Sequence, residues 1–170
     1  RIQTIKLRAS DAQYNDQLGV SVAISGDYAI VGAQGLNNRK GFAYIFERDS
    51  NGNWGSSGGT SSGFAYRTET IQLVALDGAS GDKFGWSVAI SGNYAIVGAY
   101  YDDSQKGSAY IFERDIDGNW GLAGGTINST VYRTQTVKLL ASDGATNYNF
   151  GSSVAISGNY AIVGAQYNNA

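Results

Sequence analysis

An all-β fold built from a repeated four-stranded sheet is predicted by three observations. The stretch Phe84-Gly85-Trp86-Ser87-Val88-Ala89-Ile90-Ser91-Gly92-Asn93-Tyr94-Ala95-Ile96-Val97-Gly98-Ala99 has counterparts at 18–33 and 150–165, with the motif glycines at 19, 85 and 151 and hence a constant 66-residue offset. Each copy reads as two short apolar runs flanking a Gly-Asn or Gly-Asp pair, the pattern of a tight β-hairpin. Gly (24) and Tyr (12) are abundant, Pro is absent, and no window repeats at 3.6 residues, so helix has no signal to compete with.

Residues 1–9 alternate as Ile2, Thr4, Lys6 against Gln3, Ile5, Leu7 and recur at 67–75 and 133–141, which predicts a strand. Polar, Gly- and Asn-containing segments at 11–17, 77–83 and 143–149 are predicted loops leading into the hairpins at Gly26-Asp27, Gly92-Asn93 and Gly158-Asn159. After the hairpins come variable tips at 34–40, 100–106 and 166–170. The aromatic and β-branched runs 41–48 and 107–114 are the next strand. Asn51-Gly52 and Asp117-Gly118 then signal turns, and Gly/Ser/Thr tracts at 55–63 and 121–130 are expected to lead flexibly back to the first strand type.

Each repeat thus holds strands a (around Val88), b (around Ile96), c (around Ile111) and d (around Val137). An isolated sheet of this kind cannot bury both faces, so repeats must stack, and four antiparallel strands per repeat make a β-propeller blade. The chain is read as one propeller segment, 1–170, with repeats 1–66, 67–132 and a partial 133–170. Taken as d, abcd, abcd, ab, the strands fall short of the about 4 to 8 blades of a closed propeller. An incomplete ring is expected, with an opening d strand as at a domain start, and with further repeats or a homo-oligomeric partner supplying the rest.

Charge and composition exclude several functions. A net charge of −2 from 12 basic and 14 acidic residues, with no block of one sign, argues against a nucleic-acid partner. No apolar run reaches the roughly 18 residues of a membrane-spanning helix. His and Cys are both absent, which removes Ser-His and Cys-His catalysis and imidazole or thiolate metal sites.

Phe84-Gly85 with Val97-Gly98-Ala99, and Phe150-Gly151 with Val163-Gly164-Ala165, resemble the FG-GAP repeats that build the propellers of integrin α subunits and of many microbial secreted or surface proteins. The resemblance covers essentially the whole chain and implies a propeller outside the cell or on its surface, whose loops bind a partner, commonly in adhesion. Two departures stand out: Leu18 replaces the first Phe, and Gln34, Tyr100 and Gln166 replace the motif's Pro. The Asp-rich calcium loop that many relatives carry between strands a and b is here only Ser-Gly-Asn-Tyr or Ser-Gly-Asp-Tyr, too short for the 6 to 8 oxygen ligands of calcium. No cofactor is expected.

Candidate site residues remain. Trp54, Trp120, Tyr66, Tyr132, Tyr100 and Tyr101, with Tyr167, fall near predicted loop ends, where aromatic rings can stack on sugars; the competing reading is that the tryptophans cover blade edges. Asp115, Asp117 and Asn119 have the odd spacing of a metal loop, echoed by Asp49, Asn51 and Asn53, though Gly118 falls at the fourth position and turn chemistry explains the same residues. Asp102-Asp103 could pair as general acid and base, but adjacent strand residues point to opposite faces. Asn128-Ser129-Thr130 fits a glycosylation acceptor. The expected function is non-catalytic extracellular binding or adhesion, with a protein or glycan ligand at the blade loops. The alternatives are a lectin-like module and a structural subunit of a surface filament or sheath that assembles through blade edges.

Overall fold

A computed structural model describes residues 5–12, 16–35, 40–61, 63–127 and 130–167. Two complete blades run through its centre. The first is β2 (Leu18–Ser25), β3 (Tyr28–Ala33), β4 (Phe42–Glu47) and β7 (Ile71–Val74), each antiparallel to the next. The second is β8 (Ser87–Ser91), β9 (Tyr94–Ala99), β10 (Ser108–Glu113) and β13 (Val137–Leu139), paired in the same way. The hairpin β14 (Phe150–Ser157) and β15 (Tyr160–Ala165) opens a third, and among the described residues none of the sheets closes on itself. Gly26, Gly92 and Gly158 take φ of +55°, +54° and +53° in the hairpin turns, and only the glycine of each Gly-Asp or Gly-Asn pair does so. This suits turns that need a left-handed first position.

The Gly/Ser/Thr tracts correct the sequence reading. They are not flexible returns but hairpins, β5 (Ser56–Ser61) with β6 (Phe64–Thr68) and β11 (Leu122–Ile127) with β12 (Thr130–Thr134), bulged between Ser57 and Gly59 and between Ala123 and Gly125. Correspondingly, the strands expected at 67–75 and 133–141 are broken in two. β12 pairs in parallel with β7 of the first blade, and β6 pairs in parallel with β1 (Lys6–Arg8). The chain passes from the rim of one blade to its own blade at Glu69-Thr70 and Gln135-Thr136, where each threonine amide bonds the c strand (Thr70 to Ile45 O, Thr136 to Ile111 O, 2.8 Å each). The rim hairpin therefore covers the outer edge of the preceding d strand, an edge that would otherwise present unpaired N–H and C=O groups. Asn128 and Ser129 of the glycosylation triplet lie outside the described residues.

Blades stack through their a strands. Val88 and Ile90 are buried against the first blade, each contributing about 1.5 to 3 kcal/mol, while the equivalent Val22 and Ile24 are exposed. Backbone amides reach across as well: Val88 N–H donates to Ser21 Oγ (3.0 Å), Gly92 N–H to Ser25 Oγ (3.1 Å) and Gly158 N–H to Ser91 Oγ (3.1 Å). The Phe-Gly motif is the tightest contact. Phe84 is buried edge-on to Tyr110 and Phe112 (5.4 and 6.2 Å between centroids), and Gly85 lies so close to Gly32 and Phe42 that neither glycine has room for a Cβ.

Candidate ligand-binding surface

Linking loops (75–86, 140–149) and b–c loops (100–107) meet at one end of the blades, opposite the hairpin turns. At this end of the second blade Trp86, at the start of strand a, packs on Tyr100, just past strand b, with centroids 4.7 Å apart and planes at 53°. Tyr100 in turn meets Tyr101 edge-on at 4.7 Å. Tyr101 is 41% exposed, and Tyr167 of the third repeat is exposed nearby. Burial raises the Tyr100 phenol above its ordinary range, and the neighbouring Tyr101 and Tyr167 hydroxyls add to this. Tyr100 and Tyr101 were legible as candidates; Trp86 was missed because it sits inside the repeated motif. The signal was present in the repeats themselves, since position 86 is Val20 and Ser152 in the other copies, and position 100 is Gln34 and Gln166.

The remaining aromatics are placed elsewhere. Trp120 is 1% exposed and lies edge-on to Tyr28 of the first blade (5.5 Å), so it joins blades and has no face for a ligand. Trp54 is half-buried against the Tyr44–Phe46 cluster, bridged to Arg48, and its carbonyl accepts from Arg67 Nε (2.9 Å). Tyr66 and Tyr132 lie over Gly58-Gly59 and Gly124-Gly125 of the rim hairpins, which explains why those positions lack side chains.

The acidic candidates are used structurally. Asp115 accepts from the Asn119 backbone (2.7 Å) and from its side-chain amide (3.3 and 3.1 Å), and Asp49 does the same for Asn53. These bonds, led by the Asn backbone donors, hold both carboxyls below the usual carboxylate range. The Asp115, Asp117, Asn119 spacing thus closes a turn, and among the described residues no group of acids is arranged to hold a metal. A thermal melt in EGTA is expected to overlay the melt without it; a midpoint lower by about 10 °C would show a bound ion that the turn chemistry does not explain.

Asp102 and Asp103 lie not on a strand, as the sequence reading assumed, but in a short helical turn (Asp102–Gln105) in which Asp103 takes a φ of +47°, and their side chains part company there. Asp103 is exposed and pairs with Lys106 (3.1 Å). Asp102 is buried, accepts from Ser108 Oγ and from the Tyr110 hydroxyl (3.2 Å), and pairs with Lys138 (2.7 Å), which also reaches Asp77 (2.5 Å). In the first blade Asp11 takes the part of Asp77, accepting from Tyr44 (2.9 Å) and from Gln72, the counterpart of Lys138 (2.9 Å). The recurring loop Asp therefore ties the first two linking loops to the blades they enter.

Burial pushes Asp102 up, but the hydrogen bonds from Lys138 and Ser108 outweigh it and leave the carboxyl below its ordinary value. Burial likewise pushes Lys138 down, and Asp102 and Asp77 outweigh that, leaving it raised. A lowered acid stabilises above its unfolded value of about 4 and loses this as pH falls through the folded value; a raised lysine stabilises below about 10.4 and loses this as pH rises through its folded value. Asp82, raised by burial, opposes Asp102 at the acid end. Lys138→Gln, the residue of the first blade, is expected to lower the melting midpoint at pH 7 and to shrink the fall of the midpoint on the acid side, the variant and wild-type curves converging once Asp102 is protonated in both. An acid-side fall as large as that of the wild type would mean that Lys138 does not hold Asp102 ionised.

The family model for the FG-GAP repeat matches residues 2–46, 68–112 and 133–170, most of the chain and all three copies of the motif. The chain belongs to the FG-GAP repeat family. Within an FG-GAP repeat the structure gives the motif its physical meaning: Phe fills the junction, its Gly admits the neighbouring backbone, and the second Gly receives it. No curated protein matches the chain. Among the described residues no helix is long and apolar enough to cross a membrane.

Proposed function

We propose that this FG-GAP chain is a non-catalytic binding or adhesion module working outside the cell or on its surface, and that it engages its ligand through the loop end of the second blade. The observation that carries the reading is the packing of Trp86 on Tyr100, two residues found in one of three otherwise similar repeats, beside the exposed Tyr101, whose counterpart in the third copy is Tyr167. Positions shared by all copies serve stacking, so residues that differ in one copy are free to serve recognition. The absence of His and Cys and the structural use of Asp102, Asp77, Asp49 and Asp115 support a role without catalysis. The test is binding of labelled chain to immobilised fibronectin, collagen, laminin and a glycan array. Retention on at least one surface, lost in Tyr101→Ala, is expected; retention unchanged in that variant would place the site elsewhere.

A second reading concerns assembly. Val22 is 65% exposed where its counterpart Val88 is 5%, and Tyr160 and Ile162 of the third repeat are exposed where Ile96 is buried. Further blades of the same kind would cover these faces, from the same polypeptide or from a second copy. Light scattering showing a strictly monomeric chain at high concentration would remove the second copy as the source.

A further inference from the structure

We infer that two copies of this chain join head to tail, the third repeat of one copy seating its open face on the open face of the first repeat of the other. This rests on the reading above that further blades cover those faces, and it names a second copy as their source.

The two open faces are the two halves of one junction. Within the chain, Val88 and Ile90 of the second repeat (5% and 6% exposed) pack on strands β2 and β3 of the first, whose facing side carries Ser25, Tyr28, Ile30 and Gly32. The third repeat has the same residues at the same places, Ser157, Tyr160, Ile162 and Gly164, and the first repeat has Val22 and Ile24 where the second has Val88 and Ile90. Yet Ile162 is 71% exposed, and Val22 and Ile24 are 65% and 66% exposed. A surface and its complement on one molecule, at different sites, make a heterologous contact between copies. A second copy therefore supplies what each face lacks with residues that the chain already carries.

The match extends beyond apolar area. Ser25 and Ser91 Oγ accept from the amides of Gly92 and Gly158 in the following repeat (3.1 Å each), and the next pair of that series is Ser157 with Gly26, one on each open face. The Gly85 and Gly151 carbonyls fill the space that a Cβ on Gly32 or Gly98 would need; among the described residues Gly164 meets only Ser153 of its own hairpin, and Gly19, the counterpart of Gly85, has nothing within 4 Å. Tyr28 is met edge-on by Trp120 and covered by Arg114. The counterparts of these three are Tyr160, 83% exposed on one open face, and Trp54 with Arg48 on the repeat that bears the other. Trp54 is half-buried where Trp120 is 1% exposed, the difference that Tyr160 of a second copy would remove.

The first repeat is also built to sit beside a blade. β1 runs parallel to β6 in the register that β7 keeps with β12, so it stands where the d strand of a preceding blade stands. The places of strands a and b in that blade are the ones that β14 and β15 of a second copy would take.

The experiment is sedimentation velocity over a concentration series with the whole chain, Val22→Asp, Ile162→Asp and an equimolar mixture of the two variants. Both replaced side chains are mostly exposed, and circular dichroism melts check that the variants fold. The wild type is expected to associate with rising concentration, its tryptophan emission moving to the blue as Trp54 is covered. Each variant alone should associate about tenfold more weakly or less, since an unpaired carboxylate would be buried in the junction. The mixture should form a dimer of one of each and nothing larger, because only the third-repeat face of Val22→Asp and the first-repeat face of Ile162→Asp remain intact. A wild type that stays monomeric would overturn the second copy and leave these faces to blades of the same polypeptide. Dimers of either variant alone would show a face meeting its own kind and overturn the head-to-tail pairing. Association as strong in both variants as in the wild type would place the contact elsewhere and overturn both this inference and the reading beneath it. If either variant fails to fold, Ile24→Asp or Tyr160→Asp on the same face decides in its place.

Discussion

Gly85→Ala is expected to leave the chain largely unfolded at 25 °C. Gly85 has φ of +87°, a conformation that costs an L-residue about 1 to 2 kcal/mol even in open space. Space is lacking as well: an added Cβ would fall well inside contact distance of the Phe42 carbonyl oxygen, with the Ala33 amide nitrogen at 3.0 Å. Those are backbone atoms of paired strands, which cannot turn aside as a flexible side chain would, so the blades must part. Parting them exposes Phe84, Val88 and Ile90, at about 1.5 to 3 kcal/mol each, against a total stability of about 5 to 15 kcal/mol for a domain. The control is Gly92→Ala, where φ is +54° and nothing lies within 4 Å. That variant should lose only the conformational cost and remain folded. Circular dichroism and denaturant melts of the two would separate crowding from strain, and equal losses would show that the Gly85 approach is not what joins the blades.

How far the sequence can be read follows the distance over which each feature is determined. The hairpin turns were legible because Gly26, Gly92 and Gly158 satisfy a need that is local to two residues. The blade order was legible because the 66-residue repeat states it three times. The rim hairpins were not, since Gly58-Gly59 and Gly124-Gly125 look like linker until Tyr66 and Tyr132 are seen lying on them, and β12 finds its partner β7 some 60 residues earlier. The same distance hid the partners of the loop acids. Asp77 reads as a turn residue from its neighbours, and only folding brings Lys138 to it. Of the site, Tyr100 and Tyr101 showed themselves by their place in a variable tip, whereas Trp86 was masked by the motif around it. Comparison of the copies position by position separates the two kinds of residue better than local pattern does, because architecture repeats and recognition need not.

Trp120→Ala is expected to cost about 3 to 5 kcal/mol, the range for emptying a buried aromatic position. The indole comes from the turn of the second blade and closes on Tyr28 of the first, and the Arg114 guanidinium covers the other side of that ring at 5.0 Å while pairing with Glu47 at 3.8 Å. Removing the indole therefore loosens a contact between blades, not only a filled volume. At roughly 2 to 4 °C per kcal/mol for a chain of this size, the midpoint should fall by at least about 6 °C. Trp54 occupies the same place in its own repeat but is only half-buried, so Trp54→Ala should cost less. Fluorescence supplies an independent readout: loss of the buried Trp120 should shift the folded emission to the red. The variant should also be retained, per folded molecule, on whichever surface retains the wild type, since Trp120 lies at the opposite end of the blades from Trp86. A fall of less than about 2 °C would show that the indole is not packed at the junction. Lost retention with an unchanged melt would instead return Trp120 to the candidate ligand residues.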